Sequence, residues 1–74
     1  MEKTVAEVIG KRLRMLRGKK TRRQMALDTG ISYSALGNYE CGVRIPEDDI
    51  KVRIAKYFGV KVEDIFFPKE YYSK

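Results

Sequence analysis

Residues 22–39 read RRQMALDTGISYSALGNY, and their spacing decides the fold. Ala26 stands four residues before Gly30, Ile31 follows the glycine directly, and Leu36 and Tyr39 come six and nine residues after it. Two helices that meet steeply across a three- or four-residue turn need a small side chain on the first helix and a glycine in the turn. The second helix must then aim Leu36 and Tyr39 back at the first. Thr21 and Ser32 stand where a hydroxyl caps the start of each helix. The expected result is a pair of short helices, of which the second turns Tyr33, Ser34, Gly37 and Asn38 away from the core. Such an outer face has the size to enter a major groove.

On the N-terminal side of this stretch, Val5, Ile9, Leu13 and Leu16 recur at helical spacing. Thr4 and Glu7 supply a capping box, Gly18 ends the run, and Lys11, Arg12 and Arg14 fall on the opposite face. On the C-terminal side, Gly42 closes the third helix and Pro46 is expected to open a fourth at its first turn. Glu47, Asp48 and Asp49 suit that helix's N-terminus, Ile50, Ile54 and Tyr57 or Phe58 make its apolar face, and Gly59 ends it. A short fifth helix is expected from Glu63 to Phe66 or Phe67, stopped by Pro68. No segment alternates with period two. The expected fold is all-α, five short helices in one domain over residues 1–68, with a short tail at 69–74.

Composition limits what such a domain does. The chain has 74 residues, 43% of them hydrophobic, so it holds one domain with a thin core. Sixteen Lys and Arg against ten Asp and Glu leave +6 at pH 7, and the excess is concentrated. Residues 1–25 carry nine cations and two acids, whereas the remaining residues carry seven cations and eight acids. Clustered cations favour a polyanion, because contact with phosphates releases condensed counterions. The chain has no histidine and one cysteine, Cys41, which reads as an inert thiol. That leaves no imidazole chemistry, no disulfide framework and no clustered metal ligands, and an enzyme is the least favoured class. No metal, cofactor or small-molecule ligand is expected. The first residues lack a secretory apolar core and no run is long enough to span a bilayer, so a cytoplasmic protein is expected. A basic amphipathic helix on a membrane surface is a weaker reading, because the apolar face of the first helix is needed for the core.

From Ile9 to Phe67 the chain resembles the lambda-repressor-like, XRE-type helix-turn-helix proteins. The resemblance rests on GIS at 30–32, the apolar-x-x-Tyr-Glu-x-Gly-x-Arg-x-Pro run from Leu36 to Pro46, Ala26, and VKVEDIFF at 60–67. It implies an all-α fold of five helices, DNA binding, and usually a dimer on two half-sites. By position, Tyr33, Ser34 and Asn38 match base-contacting sites, and asparagine can pair bidentately with adenine. Thr21, Arg22, Ser32 and Arg44 match phosphate-contacting sites, and Lys19, Lys20 and Arg23 are expected to join them. Arg17 and Glu40 match positions that often form an internal ion pair. The chain departs from the pattern in its short 18–20 connection, in Arg22 where glutamine is usual, in Gly37 inside the third helix, and in lacking a serine cap on the last helix. The leading expectation is a transcriptional repressor that binds a palindromic operator in double-stranded DNA. It would act as a homodimer through the fourth or fifth helix and the aromatic end, Phe66, Phe67, Tyr71 and Tyr72. The alternative is a protein-interaction module, such as an antitoxin-like partner, on the same scaffold.

Overall fold

Five helices follow one another in the computed structural model, which describes residues 3–69. They are α1 (Val5–Arg17), α2 (Arg22–Thr29), α3 (Tyr33–Glu40), α4 (Asp48–Phe58) and α5 (Val62–Phe66). The all-α expectation holds, with no strand among the described residues. Tyr71 and Tyr72, and all of the expected tail except Lys69, lie outside those residues.

α1 begins as its capping residues dictate. The Glu7 N–H donates to Thr4 Oγ1 at 3.1 Å, and the Thr4 N–H donates to Glu7 Oε1 at 2.9 Å. Ile9 and Leu13 are fully buried, but Leu16 is 40% exposed, against expectation. The buried stripe runs through Ile9, Gly10 and Leu13, which turns Leu16 to the flank. Gly10 sets that rotation. A Cβ built there would lie 2.9 Å from both the Glu40 carbonyl carbon and the Tyr39 oxygen, so α1 lies directly on the backbone of α3.

α2 and α3 start on the expected hydroxyls. Thr21 Oγ1 accepts from the Gln24 N–H at 3.0 Å, and Ser32 Oγ accepts from the Ala35 N–H at 3.0 Å. Gly30, at φ 74°, takes the left-handed conformation that lets the chain leave α2 and enter α3 within three residues. Thr29 braces the same turn, its hydroxyl donating to the Met25 carbonyl at 2.8 Å and accepting from the Ile31 N–H at 3.2 Å.

Pro46 does not open α4. Glu47 is extended (φ −70°, ψ 163°) and holds the N-cap position, so Pro46 sits one residue further out and is buried. A proline ring at that place packs like a side chain and still leaves the helix its free N–H groups. Asp48 and Asp49 lie in the first turn as expected. α5 begins at Val62, one residue early, and the absent serine is replaced from inside the helix. The Asp64 carboxylate accepts the Lys61 backbone N–H at 3.1 Å.

Every helix contributes to a single core. Ile9 and Leu13 of α1 meet Met25 of α2, Leu36 and Tyr39 of α3, Ile54 of α4, and Ile65 and Phe66 of α5, with Ile31 from the turn. Among the described residues no helix is long and apolar enough to cross a membrane.

Candidate nucleic-acid interface

The face of α3 opposite the core carries three of the sequence-selected residues. Tyr33 is 52% exposed, Ser34 is exposed and Asn38 is half-buried. The structure brings them together because Leu36 and Tyr39 are buried and the helical period puts 33, 34, 37 and 38 on the other side. The Asn38 backbone carbonyl accepts the Val43 N–H at 2.9 Å and the Arg44 N–H at 3.3 Å, which folds the following segment back beside α3. Among the described residues the Asn38 side-chain amide has no hydrogen-bond partner.

The polar residues around this face differ in whether they have partners within the protein. Thr21 and Ser32 are exposed, and each keeps its O–H free to donate beyond its capping bond. Lys19, Arg23 and Arg44 are exposed. Arg23 brings its Cζ within 6.0 Å of the Tyr33 ring centroid. Two expected phosphate contacts, Lys20 and Arg22, also have partners within the protein. Lys20 donates from Nζ to the Tyr57 hydroxyl at 2.7 Å and lies 3.6 Å from Asp28. Tyr57 in turn donates to Asp28 Oδ2 at 2.6 Å, and Gln24 Nε2 donates to Asp28 Oδ1 at 2.7 Å. The Tyr57 bond, then the Gln24 bond, hold the Asp28 carboxyl below the usual carboxylate range. The bond to Tyr57 holds the Lys20 ammonium above the usual lysine value.

Arg22 is the second of these. Its Nε lies 3.4 Å from Glu40 Oε1, and its Cζ stands 5.3 Å from the Tyr33 ring centroid. Glu40 itself is buried, 1% exposed. Arg17 satisfies it with a fork, Nε to Oε2 at 2.8 Å and Nη2 to Oε1 at 3.0 Å, which is the pair implied by the resemblance. Those hydrogen bonds hold the Arg17 guanidinium above its usual pKa. Arg17 Nη1 also donates to the Lys20 carbonyl at 2.8 Å, and Arg14 Nη1 donates to the Glu40 carbonyl. The sequence reading put Arg14 on the outer basic face of α1 and missed this grip on the end of α3. Its position three residues before Arg17 was the available signal.

No group of His, Cys, Asp and Glu among the described residues could hold a metal ion, and Cys41 is exposed as a free thiol. The arrangement instead offers a short helix with an outward polar face, capped by an exposed hydroxyl and held at its end by the Arg17–Glu40 ion pair. That geometry belongs to DNA-binding regulators that insert the second helix of a helix-turn-helix into a groove. The helix-turn-helix family model matches residues 11–65, and the chain belongs to this family, in its XRE-type, lambda-repressor-like form. No curated protein and no solved structure matches the chain.

Proposed function

We propose that the protein is a sequence-specific transcriptional repressor that binds a palindromic operator as a homodimer, one α3 in the major groove of each half-site. The observation that carries this reading is the strip of exposed Tyr33 and Ser34 with half-buried Asn38, in a chain whose N-terminal third is rich in cations. Asn38 reads adenine, with Tyr33 and Ser34 contacting neighbouring base edges. Thr21, Ser32, Lys19, Arg23 and Arg44 hold the phosphates on either side. Bound in this way, the protein occludes RNA polymerase.

Pairing through α4 and the region after α5 is supported by exposed apolar side chains there. Val52 is 43% exposed and Phe67 40%, and Lys51 Nζ lies 4.9 Å from the Phe67 ring centroid. A pair of α3 helices about 34 Å apart would match successive major grooves on one side of B-DNA.

Selection of bound sequences from a random duplex pool tests the reading. The wild type should enrich an inverted repeat, and Asn38→Ala should relax one base position in each half. Enrichment of nothing over competitor, or a uniform loss of affinity in Asn38→Ala with the motif intact, would overturn it. Sedimentation should show a dimer on the selected duplex, and a strict monomer there would remove the two-fold part of the proposal.

A further inference from the structure

The outer face of α3 carries a hydrogen-bond donor that α3 does not itself supply. Arg22 starts α2, yet its guanidinium lies across the neighbouring helix. Nη1 would stand 3.2 Å from a Cβ at Gly37, and among the described residues the atoms within 4 Å of that position, apart from its chain neighbours and α3's own backbone, belong to Arg22. The Tyr33 ring also lies beside the group, its centroid 5.3 Å from Cζ. Tyr33 and Gly37 are one helical turn apart, on the face they share with Ser34 and Asn38. Arg17 already fills both oxygens of Glu40, so the longer 3.4 Å contact from Arg22 Nε orients the side chain without using its outer donors. Among the described residues no acceptor takes the Arg22 Nη groups, and the side chain keeps 29% of its surface exposed.

Gly37 fits this arrangement. Its φ is not positive, so its backbone does not require glycine, and a glycine inside a helix lowers stability. What the missing Cβ provides is a seat for the guanidinium on the groove-facing side of α3.

We propose that Arg22 is a base-reading residue. Its two Nη donors reach across Gly37 into the major groove and take a guanine through O6 and N7, the bidentate pairing that the guanidinium fork matches. The assignment rests on the DNA-binding reading above and extends it. A phosphate contact is the competing role for any arginine here. The guanidinium stands beside both Tyr33 and Gly37 of α3, which favours the base edge over the backbone.

The test repeats the random-pool selection with wild type, Arg22→Lys and Gly37→Ala, each checked for folding by circular dichroism and urea titration. Lysine keeps the charge but loses the fork. Arg22→Lys should lose a guanine from each half-site, with roughly 10- to 100-fold less discrimination there, while the position that depends on Asn38 persists. Gly37→Ala should fold at least as stably as wild type and weaken the same guanine several-fold, because the added methyl displaces the guanidinium. A wild type that enriches a motif which Arg22→Lys leaves intact, or binds with affinity reduced equally for all sequences, overturns this assignment alone. Gly37→Ala with unchanged guanine preference removes the seat from it. A wild type that enriches no sequence overturns the DNA-reading function and this assignment with it.

Discussion

Glu40 shows how much one side chain organises. Its carboxylate binds Arg17 and Arg22, and its backbone carbonyl binds Arg14, so a single buried residue ties α1 and α2 to the end of α3. Glu40→Gln keeps the shape and removes the charge, leaving Arg17 without its ionic partner. The expected loss is about 2–3 kcal/mol, read as a lower urea midpoint. Asp28 gives a prediction in pH. Its folded pKa is lowered, so its contribution is present above the usual carboxylate range and is lost as pH falls through the folded value. Wild type should therefore lose its stability margin over Asp28→Asn as pH falls through the usual carboxylate range and below it. A difference between the two proteins that stayed constant over that range would contradict it. At this scale the sequence is only partly legible. The Gln24–Asp28 pair can be read from its spacing of four. The Tyr57–Asp28 bond joins residues 29 apart in the chain and has no local signal.

Helices were far more legible than their faces. Thr4, Thr21 and Ser32 announce three helix starts, and Gly30 and Gly59 announce two ends, because caps act within one turn and need no knowledge of the rest. The rotation of α1 is not local. It depends on what lies opposite Gly10, and a search for apolar residues passes over a glycine. Leu16 was accordingly read as buried, although the close approach of α1 and α3 turns it outward. Pro46 failed for a related reason. The sequence shows that a proline lies near the helix start, but whether it sits inside or just before the first turn depends on the space available to bury its ring. Gly10→Ala is the corresponding prediction. Its methyl would meet the backbone of Tyr39 and Glu40, which cannot rotate aside as a side chain can, so the two helices must separate. A cost of about 2–3 kcal/mol is expected, visible as a lower thermal midpoint. An unchanged midpoint would show that the contact is looser than described.

Across the whole molecule, the nine cations of the N-terminal third do not all face outward. Arg14, Arg17, Lys20 and Arg22 each have an internal partner, so the surface offered to phosphates is smaller than composition suggests. The salt dependence of duplex binding should reflect this. Arg23→Ala should flatten the slope of log affinity against log salt by about one per protomer, whereas Lys20→Ala should change it much less. An equal change in both would place Lys20 on the backbone after all. Charge asymmetry was visible in the sequence, but the division between spent and available cations was not, because it depends on which carboxylates fold within reach. The link from Lys20 through Tyr57 to Asp28 has one more consequence. It fastens the segment before α2 and the last turn of α2 to the last turn of α4. With that clasp shut, α2 is moored to α4 before any duplex arrives. A Tyr57→Phe protein loses both bonds of the clasp, and its grip should weaken on every sequence alike while its choice among sequences stays the same.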